Sequence, residues 1–200
     1  LKNCITETLP EQGFFLSHTF CNPDLYQMDF HLRPWLLTDI DCLVRYANNP
    51  RIAANLTDAF PHPYTLPDGE HFIAMATSES PVRIFAIEVE GNAAGGIGLH
   101  PQHDVYRKNM ELGYWLAEPY WGKGIATRAV VQMTAYGFAA FDIERIFARP
   151  YGHNVGSQKV LEKAGYTLEA RLEKTILKNG EMLDELIYAA RKYSWKAPQL

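Results

Sequence analysis

No stretch of the sequence holds about 18 consecutive apolar residues, the length a membrane-crossing helix requires, and its start lacks the charged-then-apolar pattern of a secretory leader. No membrane association is expected, and the chain reads as soluble and cytoplasmic. Cysteine is scarce: Cys4, Cys21 and Cys42 form no CxxC pair and leave one over, which argues against a disulfide framework. None of the seven histidines falls in HxxxH or Cys/His spacing, so no metal site is expected. Positive charge is not in excess either. A net charge of −4 argues against a general nucleic-acid binder and mildly favours a cationic substrate. Repeats and low-complexity segments are also missing. What remains is an ordinary globular composition, 47% hydrophobic and 21% charged. A chain of 200 residues of this kind buries enough surface to fold as one domain without a disulfide or metal.

Residues 1–27 mix Pro, Gly and Asn with scattered aromatics and read as an N-terminal extension; residues 28–193 read as the domain and 194–200 as a tail. From Met28, "MDFHLRPW" alternates as a strand does. Thr38 or Asp39 is placed to cap a helix reaching about Asn48, and the prolines of the Pro50–Thr65 stretch predict an irregular loop. "LPDGEHFIAMATSE" predicts a second helix, and "VRIFAIEVEGNAAGGIGLH" two strands about Glu90-Gly91-Asn92. A strand over Met110–Ala117 leads through a glycine turn into a helix to about Ala140, with Ile125, Ala129, Met133, Tyr136 and Ala140 on one stripe. "ERIFARP" is a short strand, and Asn154 to Ala164 a helix stopped by Gly165. Asn179-Gly180 closes a long terminal hairpin. The order implies a mixed α/β (α+β) fold with a largely antiparallel sheet.

The turn itself, in "ELGYWLAEPYWGKGIATRAV", poses the functional question. A P-loop needs Gly at position 117 and Ser or Thr at 124, where the sequence has Ala117 and Gly124. A dinucleotide fingerprint needs Gly where Thr127 stands, and a parallel βαβ repeat that is not there. What is left is a strand, a short loop and a helix whose first turn carries Gly122, Gly124 and Ala126. Free amides and the positive dipole end at such a helix start suit a pyrophosphate. Lys123 and Arg128 add mobile positive charge; the competing reading is a turn that needs glycine for geometry alone.

"ELGYWLAEPYWGKGIATRAV" followed by "NVGSQKVLEKAGY" resembles the GNAT superfamily of N-acetyltransferases, and within it the RimJ/RimL-type branch, which "LRPW", "GGIGLH" and "EKTILKNGEMLDELIYA" also resemble. The resemblance runs from about Met28 to Lys192. It implies a twisted, mostly antiparallel sheet of about six to seven strands, splayed at its centre and flanked by helices. It implies acetyl-CoA as co-substrate and an amine as acceptor, with protein N-terminal amines of the ribosomal-protein type favoured over small amines, polyamines and antibiotics. A homodimer is in keeping with the branch. The family's pyrophosphate loop, Q/R-x-x-G-x-G/A, falls on Trp121, Gly122, Lys123, Gly124, Ile125 and Ala126, with Thr127 following. Trp121 replaces the usual Gln or Arg. The pantetheine arm would pair with the strand edge at Trp115, Leu116 and Ala117, and Asn154 and Ser157 match helix residues that face the cofactor.

Acetyl transfer from a thioester needs a neutral amine, a polarised carbonyl and a stabilised thiolate. At pH 7 neutralising an α-amine costs about 1.4 kcal/mol and a lysine-like amine about 4.6 kcal/mol, so a strong base matters more for the second. Glu111 matches the family's catalytic glutamate. Alternation puts it on one face with Gly113, Trp115 and Ala117, opposite Leu112, Tyr114 and Leu116. It reads as general base or, equally, as a structurally paired strand carboxylate. Ser157 shares a helix stripe with Leu161 and Ala164; in this branch the matching serine bonds the cofactor sulfur, while a bond back to its own helix is the alternative. The family's usual acid, a helix tyrosine, is here Leu161, so Ser157 is the candidate for thiolate stabilisation. Asn154 reads as helix N-cap or cofactor contact, and a backbone amide near Leu116 would polarise the carbonyl. Acceptor choice is assigned to the Pro50–Thr65 and His100–Lys108 stretches. His100 and His103 read as surface or structural residues, Tyr106, Trp115, Tyr120 and Trp121 as packing or cleft wall, and Glu173, Glu181, Asp184 and Glu185 as a solvated face or an acidic lip. A non-catalytic acyl-CoA-binding module is the alternative to an enzyme, and succinyl-CoA is an alternative donor.

Overall fold

The computed structural model describes residues 28–78 and 80–199, so the N-terminal extension with Cys4 and Cys21 lies outside the described residues. Seven strands form one sheet: β1 (Phe30–Pro34), β2 (Ile84–Val89), β3 (Asn92–Pro101), β4 (Asn109–Leu116), β5 (Arg145–Ala148), β6 (Thr167–Lys178) and β7 (Glu181–Arg191). Their order is β1-β2-β3-β4-β5-β7-β6, and every pairing is antiparallel except β4 with β5. Helices α1 (Ile40–Ala47), α2 (Pro50–Ala53), α3 (Leu66–Ala76), α4 (Ile125–Ala140) and α5 (Val155–Lys163) flank it.

Two tight turns are legible in the backbone. Glu90 and Gly91 (φ 51° and 75°) join β2 to β3, and Asn179 and Gly180 (φ 51° and 83°) join β6 to β7. Consecutive positive φ values are what a two-residue hairpin of right-handed twist demands, and Gly or Asn adopt them at least cost. β6 begins at Thr167, four residues earlier than the "RLEKT" pattern suggests, because its pairing with β7 continues across two irregularities to Thr167–Ala189.

The sheet separates two cores. Leu112 and Leu116 face Ile125, Ala129, Val130, Met133 and Leu161 of α4 and α5. Trp115 faces the other way, with Trp35, Leu43, Ala47 and Ile73 of the α1–α3 side. Alternation along β4 thus holds, except that Ala117, just beyond the strand end, packs with the α4 side rather than with Glu111 and Trp115. The α4 stripe also differs from the expected one. Tyr136 is half-buried and Ala140 exposed, while Val130, Thr134 and Gly137 are buried. A Cβ on Gly137 would come within 2.6 Å of Leu99 Cδ1 and 2.8 Å of Ile146 Cδ1, so the helix rests on the sheet through its glycine.

Asp39 precedes α1 as expected, but its carboxylate does not cap the helix. It accepts from the Leu36 N–H (2.9 Å) and takes two bonds from Arg33 (2.7 and 2.8 Å), tying α1 to β1. The Pro50–Thr65 stretch is not wholly irregular: Asn49 caps the short α2 by accepting from the Arg51 N–H at 2.8 Å, with Pro50 supplying the preset first turn. Gly165 (φ 82°) ends α5 as expected, with Tyr166 N–H reaching back to Leu161 O at 3.0 Å. The C-terminal segment returns to the same helix, where Trp195 Nε1 donates to Ala164 O at 2.9 Å. No described helix is long and apolar enough to cross a membrane.

Candidate active site

β4 and β5 run together only over Asn109–Glu111 and Arg145–Phe147. Beyond that, β4 stays with β3 to Leu116, while the chain after β5 stays with β7: Leu186 N–H bonds Pro150 O at 3.0 Å and Gly152 N–H bonds Asp184 O at 2.8 Å. The strands therefore diverge, and one edge of β4 is left open. Ala117 N–H bonds Ala94 O on β3 at 2.7 Å. Alternation of an antiparallel ladder then turns the N–H and C=O of Leu116 and Tyr114 away from β3, toward the slot. This is the edge along which the family resemblance would lay the pantetheine arm.

At the end of that edge the glycine turn presents an uncapped helix. Gly122 and Gly124 both take the left-handed conformation (φ 75° and 73°), and a Cβ at either would meet nothing within 4 Å. Gly124 is the N-cap of α4 and no side chain caps it, so the amides of Ile125, Ala126 and Thr127 point outward as an anion site. The turn thus needs glycine for its backbone and also leaves the space a pyrophosphate requires. Lys123 extends over the Tyr120 ring, 5.4 Å from its centroid. Arg128 is not mobile charge: it donates to Met28 O at 2.6 Å and lies over the Phe30 ring.

Trp121 does more than replace a polar side chain. Its indole N–H donates to Leu116 O at 2.6 Å, on the open edge, and Arg51, ion-paired with Glu118, sits 5.2 Å from the indole. Nothing in the loop motif announces that bond, since it depends on the turn folding the indole back over the strand end.

Glu111 and Ser157 lie on opposite faces of the sheet. Glu111 is on the Trp115 face, where Arg149 grips both its oxygens (Nε to Oε1 3.0 Å, Nη2 to Oε2 2.9 Å) and reaches Glu185 Oε1 at 3.5 Å. The bond to Glu111 raises the Arg149 guanidinium above its ordinary value despite burial. Sequence reasoning missed Arg149; "ARP" after a strand carries no signal that the next turn swings back to β4. His100, read as a surface or structural residue, lies in β3 directly opposite Glu111. Burial lowers the His100 pKa, opposed by Glu111 and assisted by Arg83. Farther along the same face Phe60 stands 5.8 Å from Trp115 and 5.1 Å from Tyr64, so the 54–64 segment walls this side. Asp58 pairs there with Lys178 at 2.7 Å, and Glu185 forms an isolated bridge with Tyr151.

On the other face, Ser157 Oγ is 2.7 Å from the Tyr114 hydroxyl, which also lies 3.3 Å from Ser157 O. Its hydroxyl partner is thus a strand tyrosine, not its own helix. Asn154 takes its N-cap role, with Oδ1 accepting from Ser157 N–H at 3.1 Å. Leu161 is fully buried in the core, away from any acid role. Cys42 is a free, half-buried thiol, and among the described residues no group of three His, Cys, Asp or Glu side chains could hold a metal ion.

Comparison with known proteins gives the family and the fold. The family model of an acetyltransferase (GNAT) domain matches residues 29–167. YdaF of Bacillus subtilis (strain 168), whose name proposes a ribosomal N-acetyltransferase, is 32% identical over 107 residues, 54% of this chain and 58% of YdaF. Spermidine N(1)-acetyltransferase of Escherichia coli (strain K12) is 28% identical over 99 residues, 50% of this chain and 53% of that enzyme. The chain thus spans a little over half the length of these curated relatives. Mycobacterium smegmatis RimJ, solved in complex with CoA-disulfide, superposes with a TM-score of 0.70 at 24% identity over 82% of each chain, a likeness of fold.

Proposed function

Because this chain belongs to the GNAT acetyltransferase family, we propose that it transfers an acetyl group from acetyl-CoA directly to an amine, and that the favoured acceptor is a protein N-terminal α-amine. The observation that carries the reading is the open β4 edge beside the uncapped start of α4. The amides of Gly122 to Thr127 would hold the pyrophosphate, with Lys123 near, and the Tyr114 backbone would hold a pantetheine amide. Bound acetyl-CoA supplies an activated acyl group on a thiol leaving group. Leu116 N–H, aimed into the slot, polarises the acyl oxygen. Ser157 donates toward the sulfur from the α5 side.

The acceptor enters on the Glu111 face. There Glu111 takes the amine proton directly or through water, and Arg149 fixes its carboxylate. A carboxylate whose two oxygens already accept from a guanidinium suits an acceptor that needs little help. An α-amine pays about 1.4 kcal/mol to be neutral at pH 7, a polyamine amine about 4.6 kcal/mol. That difference favours the N-terminal amine. A polyamine is the second reading, favoured by Asp58 and Glu185, whose charges both act on Tyr151 at the groove wall. Each already has a cationic partner, Lys178 and Arg149.

The test begins with calorimetric titration of acetyl-CoA, followed by a panel of peptides with free or blocked N-termini, lysine peptides and spermidine, read by product mass. Binding in the micromolar range and turnover of free N-termini are expected. Glu111→Gln should leave binding of acetyl-CoA unchanged and lower kcat/KM by roughly a hundredfold. Turnover of spermidine alone would replace the acceptor assignment, and binding without turnover of any amine would leave an acyl-CoA-binding module.

A further inference from the structure

The Tyr114–Ser157 pair is not needed to explain the fold. A phenol on the α4 and α5 face of β4 is satisfied by any acceptor, yet here two hydroxyls 2.7 Å apart meet at the strand edge that opens into the slot. We propose that Tyr114 is a positioning residue for the leaving-group step: its hydroxyl donates to Ser157 Oγ, so that the Ser157 proton is directed at the departing sulfur. The inference rests on the acetyltransferase reading above.

A hydroxyl pair has two protons and two directions. Burial pushes the Tyr114 pKa well above its ordinary value, so the phenol keeps its proton throughout the neutral range. Its one proton has two acceptors within reach, Ser157 Oγ at 2.7 Å and Ser157 O at 3.3 Å, and the shorter contact favours the hydroxyl. Asn154 holds the Ser157 N–H, fixing the first turn of α5 from which the serine projects. With Tyr114 donating to it, Ser157 Oγ has one proton left to give and a more polarised O–H with which to give it. In the transfer the amine nitrogen bonds to the acetyl carbon and the carbon–sulfur bond breaks. Its electron pair stays on sulfur, and the surplus amine proton leaves through Glu111 to water. Ser157 donates a hydrogen bond to the thiolate and keeps its proton. The family's helix tyrosine would give a proton from α5; here a strand tyrosine acts through a serine, and the position on α5 is core leucine.

The test needs no acceptor. Free CoA, which carries the thiol itself, is titrated calorimetrically into the protein between about pH 7 and 9, the range around an ordinary thiol pKa. The tyrosines near the pair are all raised by burial: Tyr114, Tyr166 on Thr134 Oγ, and Tyr188 on Glu162. Across the sheet lie Glu111, Arg149 and His100, which Glu111→Gln and His100→Gln controls separate from the response. A thiol pKa drawn down by about one unit on binding makes CoA bind about tenfold tighter once ionised. The native protein should show such a rise, Ser157→Ala should lose it, and Tyr114→Phe should show it reduced by roughly threefold to fivefold, the worth of one hydrogen bond. If Tyr114→Phe does not fold, fluorotyrosine placed at 114, a stronger donor of nearly the same size, should steepen the rise. Equal rises in Tyr114→Phe and native protein, or an unchanged slope with fluorotyrosine, overturn the inference. So does a native affinity indifferent to pH, and in that case CoA binding still supports the proposed function. Absence of CoA binding at every pH overturns both.

Discussion

At Gly124 two requirements coincide in one residue. Its φ of 73° is costly for any side chain, and the space beside it is where an anion would approach the free amides of α4. Since a Cβ there touches nothing in the protein, the two costs can be measured apart. Gly124→Ala should lower folding stability by about 1–2 kcal/mol through backbone strain alone, readable by urea unfolding. It should also weaken acetyl-CoA binding by roughly tenfold, readable by calorimetry. A loss of stability with unchanged affinity would mean that the glycine serves the turn and not the ligand. Trp121 teaches a related lesson in the opposite sense. A residue that looks like a lost polar contact in the motif turns out to hold the Leu116 carbonyl of the slot edge.

Among the elements, β4 organises the site because it is central on one end and an edge on the other. Its two faces sort the chemistry: Glu111 toward α1–α3, Tyr114 toward Ser157 on α5. The register between β1 and α1 is set in turn by Asp39. Burial works against its charge, but the bonds from Arg33 and the Leu36 N–H prevail and hold it below its usual range. The folded pKa is thus depressed, so the stabilisation is present above the unfolded value of about 3.9 and is lost as pH falls through the folded value. Asp39→Asn should cost about 1–3 kcal/mol at neutral pH, since Arg33 keeps its ion pair with Glu88 but loses its second carboxylate. Urea unfolding at a series of pH values should show the gap between native and variant closing below about pH 4. A gap constant down to pH 2 or so would show that shape rather than charge holds the junction.

For the whole molecule, the Trp115 side of the sheet is closed by contacts between segments far apart in the chain. Lys178, buried near the tip of the β6–β7 hairpin, reaches the exposed Asp58 in the loop after α2. With Asp58 exposed the pair is screened by solvent and worth about 0–1 kcal/mol, and methionine keeps the packing of the buried stem, so Lys178→Met should hardly move global stability. It should instead raise hydrogen exchange through 57–62, the segment that carries Phe60 against Trp115. Unchanged exchange there would show that Phe60 and Tyr64 hold the wall unaided.

The local signals in the sequence carried a long way. Hairpin turns at Gly91 and Gly180, the cap at Gly165 and the glycine turn all rest on backbone preferences within a few residues, and local chemistry decides them. Hydrophobic spacing located α4 but misplaced its buried stripe past Tyr136, because Gly137 is buried by its neighbours Leu99 and Ile146 rather than by its own hydrophobicity. The same limit applied to the site. That Glu111 is clasped by Arg149, that His100 stands across from it, that Ser157 meets Tyr114 and that Trp121 caps Leu116 are pairings across 5 to 43 positions of chain. Residue types and spacing determined which groups this protein has for the work. Where β4 and β5 part, and so which of those groups share a face and which are already engaged, only the packed sheet decided, because long-range register is set by two cores at once.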